Sequence, residues 1–429
     1  MPQLAEKMTN IAQDLGSSDA VPSQPLKMTS PHPVAPHVEF WVETVPGIDS
    51  LVAIQREWDD LAANAIEQNP FYESWMLIEG VKCFGANVDL QFDLVWQRNP
   101  RPNQPPFLVG LFPLECKRSF GGVPLRLRRV WQHKYLYYCV PLVRRGVATD
   151  VLHALFDSMS HGPQRAAALE LHHLDLGGPF AQTLLEVTSE RAASTFTVES
   201  YNRALIRPAS SFDAYINSAM TNHNRKEVRR LARRLSEIGV PEVRVLTAVD
   251  DLDTWLNHFL QMEAAGWKGR ESTALASDDV SRAYFKSIAQ AAFARGQLMM
   301  VGLFLNQQPI ALKCNFLAGE GSFAFKIAFD EAFSRFSPGV QLELENVRLL
   351  HQMPNTKWMD SCAAQHHFMI GRIWQERRTI TKVIVSTGRR FDNLAVGLLA
   401  GLSFARKAFR RTPDRCANPT LKPQGTNDE

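Results

Sequence analysis

The six cysteines, Cys83, Cys116, Cys139, Cys314, Cys362 and Cys416, form no C-x-x-C pair. That scatter argues against a disulfide framework and reads as reduced thiols in a cytoplasmic protein. It also leaves no metal-ligand spacing, so no metal is expected. Neither sign of charge dominates: 47 Lys and Arg against 44 Asp and Glu leave +3, too mild to imply nucleic acid by itself. No DNA-binding motif is present. The apolar run at 394–402 is too short to span a bilayer. What is abundant is core material. Apolar residues make up 45% and charged ones 21% of 429 residues, a length that predicts two domains.

Residues 1–37 are rich in Pro, Ser and Gln and lack the apolar centre of a signal peptide, so they read as a mostly disordered arm. The first domain spans 38–207. It shows a strand at 38–42, helices at 48–63 and 74–84, and strands at 89–97, 107–117 and 125–132. A helix at 148–159, a strand at 166–174, a further helix and a strand at 196–206 complete it. The second domain, 208–386, opens on a basic helix at 224–238 and then repeats the order. Strand 243–248, helices 252–266 and 279–295, and strands 298–306, 309–317 and 322–329 lead to a loop, a helix, strand 357–362, a short helical stretch and strand 379–385. The fold class is therefore mixed α/β, with two copies of one β-α-α-β-β-β-α-β-α-β plan, each a central mixed sheet flanked by helices. Segment 387–429 reads as a basic amphipathic helix and a disordered tail.

Residues 322–350 are the centre of this organisation. Phe323, Phe325, Ile327 and Phe329 alternate as in a half-buried strand. Ser337-Pro338-Gly339 then starts a helix, with Ser337 placed as its cap and Pro338 in the first turn, where a missing N–H costs nothing. The free N–H groups of such a helix start suit an anion.

The ordered set Asn224-Arg225-Lys226-Glu227-Val228-Arg229-Arg230, Glu263-Ala-Ala-Gly266-Trp267-Lys268-Gly269, Gln308-Pro309-Ile310-Ala311, Lys326-Ile-Ala-Phe-Asp330, Phe336-Ser337-Pro338-Gly339 and Trp358-Met359-Asp360 resembles the CelD-type (cellulose-biosynthesis) acetyltransferase domain. That domain has the GNAT fold and is related to the FemAB aminoacyl transferases. The resemblance covers about 203–378; over the first domain it is one of architecture alone. It implies tandem GNAT-like halves and transfer of an acyl group, acetyl first, from acyl-CoA to an amine or hydroxyl acceptor. The polysaccharide-associated relatives point to a small-molecule or glycan-type acceptor. Arg335, Phe336, Ser337, Pro338, Gly339 and Val340 would cradle the donor pyrophosphate, chiefly through Arg335 and the amides of Ser337, Gly339 and Val340. The glycine-rich form of the GNAT loop is missing, so an aminoacyl-tRNA donor, as in FemAB-like enzymes, stays open. So does a non-catalytic scaffold of a polysaccharide-synthesis assembly.

Acyl transfer needs a base for the acceptor and a polar group for the thioester carbonyl. Asp330, Glu343 and Asp360 are candidates for the base. Lys326 shares a strand face with Asp330, so the two can orient an acceptor or form an ordinary ion pair. Glu263, Trp267 and Lys268 form either an acceptor wall or a packed helix end. Cys362 with His366 reads as a nucleophile and base or as a buried thiol; His366 or His367 alone can serve the acceptor. His133 and Tyr135 mark an aromatic surface that lines an acceptor cleft or packs a strand. The helix at 224–238 gathers Arg225, Lys226, Arg229, Arg230, Arg233 and Arg234 on one face, opposite Val228, Leu231, Leu235 and Ile238. Such a face attracts a nucleotide-linked substrate, anionic lipid or tRNA, or is simply solvated. Residues 389–411 suit either an anionic membrane, which would make the protein peripheral to the inner membrane, or docking to the second domain.

Overall fold

The computed structural model describes residues 38–410 apart from 121, 163, 164, 366 and 368. The predicted arm, the tail beyond 410 and His366 lie outside the described residues. The first half contains β1 (Phe40–Pro46), α1 (Asp49–Val52), α2 (Gln55–Ala63), α3 (Ser74–Phe84), β2 (Leu90–Gln97), β3 (Phe107–Phe120), β4 (Val123–Val130), β5 (Leu142–Val143), α4 (Ala148–His161), β6 (Ala168–Asp175), α5 (Pro179–Glu190) and β7 (Thr195–Ile206). The second contains α6 (Phe212–Ala219), α7 (Asn222–Ser236), β8 (Pro241–Val245), α8 (Val249–Ala265), α9 (Trp267–Arg270), α10 (Asp279–Ala294), β9 (Leu298–Leu305), β10 (Gln308–Ala318) and β11 (Gly321–Phe329). It continues with α11 (Pro338–Gln352), β12 (Trp358–Asp360), α12 (Ile370–Ile373), β13 (Glu376–Ser386) and α13 (Arg390–Arg410). The mixed α/β class and the repeated order are those the sequence predicts.

All thirteen strands join one sheet, in the order β1-β2-β3-β4-β6-β13-β7-β12-β11-β10-β9-β8, with β5 beside β3. Each half keeps one parallel pair, β4 with β6 and β11 with β12. The last strands are exchanged. β13, from the end of the second half, pairs with β6 of the first, and β7, from the end of the first, pairs with β12 of the second. The two exchanged strands run antiparallel to each other along almost their whole length. The described residues from 39 onward accordingly form one compact unit.

Helix ends follow local chemistry. Thr221 caps α7 by accepting the Asn224 amide at 3.2 Å, and Asp278 caps α10 by accepting the Ser281 amide at 2.7 Å. In α7 Leu231 and Leu235 are buried and the helix packs beside the loop before α11. Ile238, expected on its buried face, lies past the helix end and is exposed. The alternation along β11 is broken. Its register with β10 shifts between Cys314 and Phe316, leaving an extra residue on β11. Phe323 and Phe325 therefore enter the core shared with α3, α8 and α10, whereas Ile327 and Phe329 join the core under α11.

Strand exchange leaves each half with an open edge when alone. Residues 38–207 and 208–410 produced separately are expected to lack near-ultraviolet circular dichroism and cooperative melting, and to regain both as a one-to-one complex on co-expression. Cooperative melting of either fragment alone would refute this.

Candidate active site

β11 meets β12 over three residue pairs only, 321–323 against 358–360, and then runs on to Phe329 bonded to β10 alone. The gap between the two parallel strands holds a cavity of about 240 Å³. Met262, Glu263, Gly266, Trp267 and Lys268 line it from α8 and α9, Ile327 to Phe329 from β11, Gly339 from α11, and His367 and Met369 from the segment after β12. A second, shallower hollow of about 570 Å³ shares Met262, Gly266 and Glu331 with it and extends to Asp330 and Pro309.

One wall of the cavity carries a buried charge cluster. The Glu263 carboxylate accepts Lys268 Nζ at 3.2 Å and Lys326 Nζ at 3.0 Å on Oε1, and the Leu275 amide at 2.8 Å on Oε2. Lys268 Nζ also donates to the Ile327 carbonyl at 2.9 Å. Burial pushes the Lys268 pKa down, against the pull of Glu263 and with the help of the neighbouring Lys326 charge. An ammonium has three N–H donors. Two of those of Lys268 are spent, so one remains for the cavity that its side chain lines. Behind this wall, Lys313 Nζ meets Glu343 at 2.7 Å, and Glu343 also accepts Trp374 Nε1 and Asn346 Nδ2 at 3.1 Å each.

The opposite rim is the start of α11. Ser337 stands at φ 50°, ψ 55°, a left-handed conformation uncommon for a residue with a Cβ. Its side chain makes no capping bond, unlike the sequence expectation. The Ser337 amide donates to the Ser334 carbonyl at 2.9 Å and the Val340 amide to the Ser337 carbonyl at 3.0 Å. Both are thereby consumed within the turn, which leaves the Gly339 amide of the three expected cradle donors. A Cβ on Gly339 would sit 3.4 Å from Phe329 Cδ1. Phe336 and Pro338 are buried as packing groups. Arg335 is exposed, its guanidinium 4.8 Å above the Phe336 ring, with α7 packed alongside.

The structure thus brings Glu263, Trp267, Lys268 and Gly339 to one cavity and ties Lys326 to it through Glu263. Other candidates lie elsewhere. Asp330 caps the turn after β11, accepting the Ala332 amide at 2.9 Å, and the predicted Lys326–Asp330 pair is replaced by Lys326–Glu263, because four residues along a strand set two side chains about 13 Å apart. Asp360 is fully buried between Arg203 at 3.6 Å and Arg378 at 3.2 Å, and accepts the Cys362 amide at 2.6 Å. Burial, followed by Asp360, drives the Cys362 thiol well above its ordinary range, the reverse of an activated thiolate. Tyr135 is buried and stacked on Tyr284, with Lys326 Nζ 5.5 Å above its ring. His133 lies among Phe84, Trp131 and Tyr284 with Nε2 sealed from solvent, so it packs this cluster and does not line the cavity of Lys268. Sequence reasoning missed the two arginines on Asp360 and the Met262 and Met369 walls. No local pattern marks either, because their partners are distant in the chain.

Residues 222–368 match the model of the family described as an acetyltransferase (GNAT) domain. No curated protein matches the chain. Among solved structures, FemX is similar over 77% of this chain and 95% of its own, at 12% identity and a TM-score of 0.49. A tandem GNAT protein from the clavulanic acid biosynthesis pathway is similar over 81% and 99%, at 12% identity and a TM-score of 0.38. A conserved protein of unknown function from Bacteroides thetaiotaomicron is similar over 78% and 97%, at 10% identity and a TM-score of 0.47.

Two outcomes are expected from this geometry. Asp360→Asn uncovers buried guanidinium charge and is expected to cost about 3–5 kcal/mol of stability in urea unfolding, a structural loss rather than a change in chemistry alone. An unchanged midpoint would refute it. Burial, and then Lys134, hold His133 down at about 3, against an ordinary 6.5. The unfolded chain therefore takes up a proton that the folded ring refuses, so stability falls as pH drops from about 6.5 towards 3, by up to about 1.4 kcal/mol per pH unit. The His133→Phe variant should show a flatter profile over that window.

Proposed function

We propose that the second half is an acyltransferase of the GNAT type that moves an acyl group, acetyl first, from acyl-CoA to an amine or hydroxyl acceptor by direct attack. The observation that carries this reading is the cavity in the opening between β11 and β12, closed at one end by Gly339 and walled by Lys268. The match of 222–368 to the acetyltransferase (GNAT) domain supports it. The residues present fit a thioester arm. Met262, Ile327, Phe329 and Met369 offer apolar contact, and Gly339 leaves space that a side chain would fill. Arg335 and the exposed Lys226, Arg229, Arg233 and Arg234 of the adjoining helix supply positive charge for phosphates.

Lys268 would point its remaining N–H at the acyl oxygen as negative charge develops there, in a site dry enough for that bond to count. Glu263 and the Ile327 carbonyl fix the ammonium, and Lys326 holds Glu263 in place. His367 lines the cavity, and burial followed by the Lys268 charge lowers its pKa, so its neutral ring is available to take the acceptor proton. The acceptor atom bonds to the acyl carbon, the C–S bond breaks, and the thiol leaves. On the CelD-type resemblance the acceptor is a sugar or polysaccharide precursor. The free state of the described cysteines supports a cytoplasmic setting. The cationic face of α7 beside the donor rim favours a second reading, an aminoacyl-tRNA donor.

Calorimetric titration with CoA and acetyl-CoA tests the first reading. Micromolar binding is expected, weakened about tenfold or more by Gly339→Val. Lys268→Met is expected to lower kcat roughly 100- to 1,000-fold with a smaller effect on donor affinity. Absence of CoA binding combined with capture of charged tRNA would transfer the assignment to the second reading, and absence of both would refute catalysis.

A further inference from the structure

Helix α13 has two apolar faces, and the fold uses one. Val396 is buried against Leu127, Ala168 and Ile384, and Leu399 is buried on the same side. The start of the helix is pinned. Asn393 Oδ1 accepts the Ser194 amide at 2.9 Å, Asn393 Nδ2 donates to the Ala192 carbonyl at 2.9 Å, and the Thr387 hydroxyl donates to Asp392. The inward face is therefore complete.

The outward face is not covered. Phe391, Leu394, Leu398 and Leu402 are 82%, 61%, 60% and 45% exposed, and their spacing of three and four places them on one stripe. Among the described residues Phe391 is the most exposed large apolar side chain. Arg389 and Arg390 are exposed at the head of the helix, and the sequence carries Arg406, Lys407, Arg410 and Arg411 further along. Asp392 is the single acid between 389 and 411, and it is buried against Thr387. The segment thus offers cations and no free carboxylate. Among the described residues no helix is long and apolar enough to cross a membrane.

We propose that α13 is an interfacial helix that lays the stripe of Phe391, Leu394, Leu398 and Leu402 into the surface of an anionic lipid bilayer. An apolar stripe headed by the exposed Arg389 and Arg390, in a segment whose sequence is cationic, is what a lipid surface of negative charge complements. Four side chains in a single row cover a few hundred Å², short of the ~800 Å² per partner of a stable protein interface. A flat bilayer needs no matching shape, so a narrow row suffices. The docked face holds the helix in place, so no ordering of the helix opposes insertion.

Co-sedimentation of the full chain with phosphatidylcholine vesicles, with and without phosphatidylglycerol, tests this. Binding is expected with phosphatidylglycerol and should fall by about tenfold or more in the double variant Leu394→Gln/Leu398→Gln, whose melting and CoA titration stay as in the parent because both positions are exposed and neither lines the cavity. Binding should also fall in Arg389→Glu/Arg390→Glu. No binding to phosphatidylglycerol vesicles, or equal binding of parent and double variant, would overturn the proposal. So would a self-association seen by sedimentation velocity that the double variant abolishes, which would assign the stripe to a second copy of the chain.

Discussion

One carboxylate, Asp360, holds the middle of the molecule together. It lies fully buried at the end of β12, between Arg203 from β7 and Arg378 from β13, the two strands that the halves exchange. Arg378 turns its remaining charge to Asp175 at 3.4 Å, so the two guanidinium groups are matched by two carboxylates. Buried charges are tolerated only when matched in this way. The pairing binds both exchanged strands to β12, and β12 fixes where the parallel strands begin to diverge. The opening that forms the cavity is thus set by an ion cluster outside it. This explains why Asp360, though a candidate base by its place in the chain, cannot serve the site.

The site itself depends on a different use of charge. Glu263, Lys268 and Lys326 are held by bonds among themselves and to backbone groups, so Lys268 is fixed and partly desolvated. Such pre-organisation costs stability in the free protein and favours the state in which negative charge appears nearby. The second buried pair, Lys313 of β10 with Glu343 of α11, stands behind it and, with the bond from Asn315 Nδ2 to Asn346 Oδ1, anchors α11 to the sheet. Together they keep α11 and its Gly339 end in a fixed position relative to Lys268.

Much of this was legible in the chain. The element order follows from period-two and helical patterns and from Gly and Pro punctuation, which are local. The Glu263-to-Lys268 segment and the Ser337-Pro338-Gly339 helix start are also local, and these are the parts of the candidate site that reading the residues found. Partner choice is not local. β6, β7, β12 and β13 all read simply as strands, and nothing within any of them says that β13 will lie beside β6. The extra residue in β11 was equally hidden, since Phe323 to Phe329 alternate faultlessly in sequence, and it sends Phe325 and Ile327 into different cores. His133 and Tyr135 looked like a binding surface because polar aromatics serve at surfaces and in packed clusters alike.

The exchanged strands also bear on how the chain is made. Strand β6 finishes early in synthesis, yet its neighbour β13 is made roughly two hundred residues later, when most of the chain already exists. The amino-terminal half therefore leaves the ribosome with an unpaired central strand edge and must wait for the carboxy-terminal end to close it. The central sheet can therefore be completed only once β13 has been made, and a chain cut short anywhere before β13 leaves that sheet open.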